Sequence, residues 1–142
     1  MNDRVFVDTN VLVYADDKSA GKKRQRAKAV IKELISADRA VLSTQVLQEY
    51  YVIATRKLGM DAADARARVE VFSRLNVVVV VPELIFGAID LSRLHILSFW
   101  DALIMKSASS AGCARILSED LNAGQVVDGV RIDNPFAPAF VL

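Results

Sequence analysis

Short apolar runs alternate with longer amphipathic stretches along most of this chain. One run, from Arg4 to Val7, stops at Asp8, and similar runs occupy Ala40 to Leu42 and Ala114 to Leu117. Apolar runs of this length, bounded by polar residues, are typical of buried strands. The pattern therefore predicts strands at these places, with polar residues just beyond their carboxyl ends.

The stretches between the runs have helical periodicity. From Lys22 to Ala37 the apolar residues recur every three or four positions, which places them on one stripe of an amphipathic helix. Ser43 or Thr44 is suited to cap a second helix, which we expect to end near Leu58 because Gly59 follows as a stop. The same reasoning predicts helices from Asp61 to Leu75 and from Phe99 to Ala111.

Five consecutive valines, Val77 to Val81, show no alternation with polar residues. An unbroken β-branched run is typical of a parallel strand that is covered on both faces, so we predict a central strand here. Pro82 suits the first turn of the helix that follows, because that position needs no backbone donor.

Strands that alternate with helices indicate a parallel sheet packed between helices. For 142 residues we expect a single domain over positions 1–142 with an α/β fold, a three-layer α/β/α sandwich whose central parallel sheet has four to five strands. The alternation nearly stops near the carboxyl end. Val126 to Ile132, with Asp128 and Gly129 at its centre, fits a hairpin or an irregular approach to a short last strand, and the sequence does not separate the two.

Composition narrows the classes of function. The formal net charge is only +1, so the chain lacks the basic balance by which many nucleic-acid-binding proteins are recognised. One His and one Cys exclude a Cys/His zinc cluster and an internal disulfide. The first residues are charged where a signal peptide is apolar, and the longest apolar stretch is too short to span a bilayer. We therefore expect a cytoplasmic location without a membrane role.

Four acidic residues stand in apolar or element-boundary contexts: Asp8, Glu49, Asp101 and Asp120. Asp8 and Asp120 follow predicted strands, and ligands of open α/β sheets bind beyond the carboxyl ends of strands. The alternative for Asp8 is a turn or a helix cap. For Asp120 the alternative is an ordinary loop aspartate, and spacing does not choose between Asp120 and its acidic neighbour Glu119.

Glu49 and Asp101 lie on predicted helices. Glu49 shares a stripe with apolar residues, where an unpaired carboxylate is costly, unless it reaches solvent or pairs with Arg56. Asp101 is the fourth residue of a capping-box pattern that begins at Ser98. A carboxylate in a first helical turn is also kept ionised by the positive end of the helix, which is what a metal ligand requires.

If the four carboxylates converge, their repulsion raises some of their pKa values unless a cation neutralises them. Mg²⁺ is usually held by one or two carboxylates while it keeps several waters, and Mn²⁺ accepts similar ligands. Such an ion lowers the pKa of a water and stabilises charge on a phosphate. An acidic metal site therefore needs no histidine as a base.

Four motifs of the chain resemble, in order and spacing, those of the PIN-domain family of nucleases. They are Phe6-Val7-Asp8-Thr9-Asn10-Val11-Leu12, Gln48-Glu49, Ser98-Phe99-Trp100-Asp101-Ala102-Leu103-Ile104 and Leu117-Ser118-Glu119-Asp120. The resemblance covers nearly the whole chain and looks closest to the VapC-like toxins of bacterial toxin-antitoxin pairs. It implies an endoribonuclease that depends on Mg²⁺ or Mn²⁺.

The same resemblance implies roles for single residues. Asp8 and Asp101 would be the direct metal ligands, and Glu49 and Asp120 would complete the catalytic acidic site. Asn10 and Ser118 would be supporting polar groups that orient these carboxylates. The resemblance further implies an RNA substrate, a small antitoxin protein that covers the site, and pairing of two copies into a homodimer.

Two other functions compete with the nuclease. An aspartate-nucleophile phosphatase also places an acid after the first strand and uses Mg²⁺, but it usually has a second acid two residues later, where Asn10 stands here. A noncatalytic binding module would use the acids as caps and turns, which Glu49 on an apolar stripe argues against. The basic run from Lys22 to Lys28 suits either RNA phosphates or a solvated helix face.

Overall fold

The computed structural model describes residues 3–142. Its elements follow the order β1 (Val5–Val7), α1 (Thr9–Asp16), α2 (Lys22–Ser36), β2 (Ala40–Ser43), α3 (Thr44–Arg56), α4 (Ala62–Phe72), β3 (Asn76–Val78), α5 (Pro82–Leu94), α6 (Phe99–Ser110), β4 (Arg115–Leu117), β5 (Val126–Val127) and β6 (Val130–Asp133). The predicted helices are present, with ends that differ by a few residues. Across residues 3–142, no helix is both long enough and apolar enough to cross a membrane.

The strands form one sheet in the order β3-β2-β1-β4-β6-β5. Every pairing is parallel except the one between β5 and β6. Helices flank this sheet, with α1 packed against α2 and α3, and α5 packed against α6. The predicted α/β sandwich is confirmed, although the sheet is mixed and has six strands instead of four or five.

The sixth strand arises because the segment from Val126 to Ile132 is a hairpin. Its two turn residues, Asp128 and Gly129, have φ angles of 51° and 78°. Two successive residues with positive φ give the tight turn whose twist matches a β-hairpin, and Asp-Gly is a preferred pair for it. The structure therefore decides between the two alternatives in favour of the hairpin.

The prediction of a central strand over Val77 to Val81 is wrong. β3 contains only Asn76–Val78 and lies at the edge of the sheet, beside β2. Its residues are half-buried, and Val79 is 62% exposed. β-branched residues favour extended backbone at an edge as well as at a centre. Pro82 occupies the predicted place at the start of α5.

The register between β1 and β4 positions the polar residues that follow them. Val7 lies opposite Leu117, so Asp8 and Ser118 are adjacent where the two strands end. α1 begins at Thr9, directly after Asp8. The strand and helix patterns of the sequence did not predict this helix. Its apolar residues are buried, which keeps the start of α1 fixed against the sheet.

Candidate active site

Asp8 is the most buried of the predicted site acids, with 8% of the residue exposed. Its Oδ1 accepts from the Thr9 amide at 2.7 Å, so Asp8 caps α1. Its Oδ2 accepts from the Ser118 hydroxyl at 2.8 Å and from the Asn10 side-chain amide at 3.2 Å. Asp8 is therefore a helix cap and at the same time a carboxylate buried among polar groups.

Burial raises the pKa of Asp8 from 3.8 to about 6, although hydrogen bonds from Ser118 and Thr9 oppose the increase. The negative charges of Glu49 and Asp120 raise it further. Withdrawal of water penalises the charged form of a carboxylate, and so do nearby like charges. The site thus carries negative charge that its own donors do not fully compensate, which is the electrostatic condition that attracts a cation.

Asn10 connects Asp8 to the loop after β4. Its Nδ2 lies 3.2 Å from Asp8 Oδ2 and 3.3 Å from Ser118 Oγ. The same nitrogen lies 3.3 Å from Asp120 Oδ2. The Ser118 hydroxyl in turn accepts from the Asp120 amide at 3.2 Å. These contacts fold the loop over Asp8 and bring the Asp120 carboxylate to the same place.

Glu49 reaches this region from α3. Its Oε1 accepts from the Thr9 hydroxyl at 2.8 Å, and its Oε2 accepts from the Gln45 side-chain amide at 3.4 Å. The ion pairs among residues 3–142 do not include one between Glu49 and Arg56. The predicted core-facing stripe therefore carries Glu49 toward the other acids, where neutral donors hold its carboxylate.

Asp101 lies in the first turn of α6. The Ser98 hydroxyl accepts from the Asp101 amide at 3.1 Å, so Ser98 caps the helix as its pattern predicts. The hydrogen bonds found within residues 3–142 do not include the return contact from the Asp101 carboxylate to the Ser98 amide. The carboxylate is free of the second half of the capping box and stands at the positive end of α6.

All four predicted acids line one cleft of about 490 Å³. Asp8 and Asp120 approach it from the strand ends, while Glu49 comes from α3 and Asp101 from α6. Elements that are distant in the sequence thus bring four carboxylates to one cleft. A cleft with converging polar groups and a perturbed carboxyl is the usual setting of a catalytic or ligand-binding site.

One wall of the cleft continues along α3 toward its carboxyl end. Val52 and Ile53 line it next, and Arg56 and Lys57 follow. Residues three, four, seven and eight positions after Glu49 share its face of the helix. The wall therefore changes from acidic through apolar to basic along a single helix.

A larger cleft of about 790 Å³ lies elsewhere, against α4 and the loop before it. Of its two half-buried acids, Asp16 is already paired with Arg68 at 2.9 Å and accepts from the Tyr50 hydroxyl. The other, Asp17, also lines the smaller cleft and accepts from the amide and the hydroxyl of Ser19. The charge of Asp16 is therefore compensated within the fold. We take the smaller cleft as the candidate site because its acids have mainly neutral partners.

Two residues of the cleft were missed by the sequence reasoning. Thr9 holds Glu49, and Gln45 holds both Glu49 and the Trp100 carbonyl, the latter at 3.2 Å. Gln45 lies one helical turn before Glu49, and this spacing is a signal that the sequence offered. Within residues 3–142 the Gln45 Oε1 is buried without a hydrogen-bond partner. Rotating the amide would turn that oxygen toward two acceptors, so the observed orientation is the favourable one.

The donor set of the cleft suits a hard cation. Carboxylate and amide oxygens are the ligands that Mg²⁺ and Mn²⁺ accept, and the site contains neither Cys nor His. Across residues 3–142, however, no three acidic, His or Cys side chains are grouped closely enough to hold a metal ion together. Any ion held here would therefore be bound by one or two carboxylates together with waters, a coordination that Mg²⁺ commonly adopts.

Solved structures with this fold include several bacterial proteins. VapC20 of Mycobacterium tuberculosis, a sarcin-ricin loop cleaving toxin, is 23% identical, with a TM-score of 0.64 over 82% of this chain and 91% of that one. A toxin-antitoxin complex from Klebsiella pneumoniae is 17% identical, with a TM-score of 0.69 over 93% and 98%. DNA-bound VapBC from Salmonella typhimurium is 20% identical, with a TM-score of 0.67 over 95% and 99%. These similarities establish the fold.

The sequence comparison establishes the family. No curated protein sequence matches the chain significantly. The family model described as the PIN domain matches residues 5–128, which is most of the chain and includes all four acids of the cleft. The chain therefore belongs to the PIN-domain family.

Proposed function

We propose that this protein is a metal-dependent endoribonuclease, the VapC-like toxin of a toxin-antitoxin pair. The observation that carries the proposal is the convergence of Asp8, Glu49, Asp101 and Asp120 on one cleft. Membership of the PIN-domain family supports a nuclease, and the similarity to an RNA-cleaving toxin supports RNA as its substrate.

Asp8 and Asp101 are the proposed ligands of Mg²⁺ or Mn²⁺. When bound, such an ion supplies a water of lowered pKa and neutralises charge on a phosphodiester. Glu49 and Asp120 would complete the acidic site from α3 and from the loop after β4. Three of the four acids are oriented by fixed donors, because Thr9 and Gln45 hold Glu49 while Asn10 holds Asp8 and Asp120. Pre-positioned groups of this kind need little reorganisation during the reaction.

The surroundings of Asp8 argue against the phosphatase alternative. A nucleophilic carboxylate needs an oxygen that can reach the substrate phosphorus. Here Oδ1 is bound by the Thr9 amide and Oδ2 by Ser118 and Asn10. Asn10, at the position of a phosphatase's second acid, is itself a fixed donor to Asp8 and Asp120. The position of the second acid is thus occupied by an amide that already binds the acids of the cleft, which favours the nuclease over the phosphatase.

The proposal is tested by RNA cleavage with Mg²⁺, with Mn²⁺ and with a chelator. We expect Asp8→Asn and Asp101→Asn each to lower the cleavage rate by at least about a hundredfold, because each substitution removes a charge that holds the cation without changing the shape of the side chain. The matched control is Asp64→Asn, an exposed position on α4 that should cleave at the wild-type rate.

Two results would contradict this proposal. One is cleavage that survives chelation or either active-site substitution in folded protein. The other is wild-type protein that neither cleaves RNA nor binds Mg²⁺ or Mn²⁺ in calorimetry, which would favour the noncatalytic binding module.

The basic end of the α3 wall supports a nucleic-acid substrate. Arg56 and Lys57 lie seven and eight residues beyond Glu49, which is about 11 Å along a helix. A phosphate bound at the acids would therefore leave a neighbouring part of an RNA backbone within reach of the two cations. Phosphate contacts of this kind strengthen binding without reading sequence.

This arrangement predicts a salt effect. In an Asp101→Asn background that leaves RNA intact, replacing Arg56 and Lys57 with Gln should weaken single-stranded RNA binding. It should also reduce the slope of log K against log[salt] by about 1.4, since each phosphate contact contributes about 0.7. Fluorescence anisotropy at several salt concentrations measures both quantities. Lys32→Gln, at an exposed position on α2, is the control, and an unchanged slope in the Arg56 and Lys57 variant would exclude the contact.

The proposal includes two protein partners. The toxin-antitoxin complex among the similar structures supports an antitoxin as a partner, and the resemblance to the VapC-like toxins implies that it covers the cleft. A second copy of the chain is supported by exposed apolar side chains on α5, on its adjoining loops and in the first turn of α6: Val79, Phe86, Leu94, Ile96 and Trp100. Exposed apolar patches of this kind commonly mark interaction sites.

The homodimer predicts a mass twice that of the chain in light scattering. Phe86→Asp should give the monomer mass while the circular dichroism spectrum is retained, because Phe86 is 63% exposed and does not support the core. Lys32→Gln again serves as a control with unchanged mass. A monomeric wild-type protein would contradict the homodimer.

A further inference from the structure

The loop after β4 carries two adjacent acids with different surroundings. Asp120 is exposed at the candidate cleft, whereas the Glu119 side chain is half-buried and turned toward α1 and α2. The sequence alone does not distinguish the two. The structure assigns Asp120 to the cleft and leaves open what Glu119 does.

Both carboxylate oxygens of Glu119 are occupied by side chains from other elements. Oε1 accepts from the Tyr14 hydroxyl of α1 at 2.6 Å, and Oε2 pairs with Lys23 Nζ of α2 at 2.6 Å. The Lys23 ammonium also lies 5.0 Å from the centroid of the Tyr14 ring, within cation-π distance. Burial raises the pKa of Glu119, but the hydrogen bonds from Lys23 and Tyr14 outweigh it and hold the pKa below its usual value. We call this trio the Glu119 clamp.

The main chain of Glu119 is held from the same direction. Its amide donates to Asn10 Oδ1 at 3.1 Å. Asn10 and Tyr14 are four residues apart on α1, so they present neighbouring groups on one face of that helix. The side-chain amide of Asn10 also lies 3.3 Å from Asp120. One helix face thus fixes the backbone and the side chain of Glu119, immediately before the acid that enters the cleft.

We propose that Glu119 is a positioning residue for the reaction. By binding Tyr14 and Lys23 it fixes the loop, so that Ser118 stays on Asp8 and Asp120 stays in the cleft. The clamp needs a carboxylate because its two donors, one of them cationic, approach from different helices. It also removes Lys23 from the basic run as a free phosphate contact. This inference rests on the proposed function, because positioning matters only if Asp120 takes part in cleavage.

The first test substitutes Glu119 with Ala in the full chain. We expect kcat to fall by roughly tenfold and KM to stay within about twofold, because a displaced acid affects the reaction more than substrate binding. Hydrogen exchange should become at least about tenfold faster in the peptide over 118–121, where the amides of Asp120 and Leu121 donate to the Ser118 hydroxyl. Glu33→Ala, which removes an exposed acid from α2, is the matched control.

A second set of variants separates a clamp from a simple loss of charge. Tyr14→Phe with Lys23→Met should reproduce the fall in kcat, since it removes both donors and leaves the carboxylate in place. In the Glu119→Ala background the same pair should add little, because partners in one network are not additive. Glu119→Gln should give an intermediate kcat, since it can still accept from Tyr14 but cannot form the ion pair.

Three results would overturn the clamp: an unchanged kcat in folded Glu119→Ala, additive effects in the combined variant, or a loss of kcat without faster exchange of the loop. The exchange measurement needs no substrate, so it distinguishes the two proposals. If wild-type protein cleaves no RNA but Glu119→Ala still loosens the loop, the proposed function fails and the structural part of the clamp stands.

Discussion

The structure of the candidate site depends on one constraint, which is that the Asp8 carboxylate is buried at the end of a central strand. A carboxylate at that depth is costly unless donors surround it. The first turn of α1 supplies the Thr9 amide and the Asn10 side chain, and the neighbouring strand β4 supplies Ser118. The immediate start of α1 and the register of β1 with β4 bring these donors to the Asp8 carboxylate. The raised pKa of Asp8 indicates that these donors do not fully compensate the free-energy cost of burying its charge. A bound cation would offset the remaining cost.

Much of this site could be predicted from the sequence because its acids occupy positions with a physical signature. Asp8 and Asp120 follow apolar strands, and Glu49 interrupts an apolar helical stripe. Parallel strands end at one edge of a sheet, so acids after neighbouring strands meet there. The structure brings all four predicted acids to one cleft, and it places Asn10 and Ser118 between Asp8 and Asp120.

The failures concern features that depend on tertiary neighbours. The run of valines from Val77 to Val81 predicts an extended backbone, but it does not predict where a strand lies in the sheet. That position depends on which strands pair with it, and β3 pairs only with β2 at the edge. Glu119 and Asp120 have the same charge in adjacent positions, and only the approach of Tyr14 and Lys23 separates their roles. Gln45 lies only one helical turn from Glu49, but its second contact, the Trp100 carbonyl, is distant in sequence. The sequence pattern therefore did not indicate that Gln45 connects α3 to α6.

We propose that the fold tolerates an unfavourable cluster of charge in the cleft because a cation binds there. The most direct measurement is the thermal unfolding of wild type and Asp8→Asn, each in chelator and in Mg²⁺. Asparagine still caps the helix through its one side-chain oxygen. It removes a like charge from the cluster but no longer accepts from all three donors of Asp8, so we expect the variant in chelator to have a Tm close to that of wild type. Mg²⁺ should then raise the Tm of wild type alone, since a ligand stabilises only the state that binds it. Two results together would contradict the proposed cation binding. The variant would melt well below wild type in chelator, and Mg²⁺ would leave the Tm of wild type unchanged.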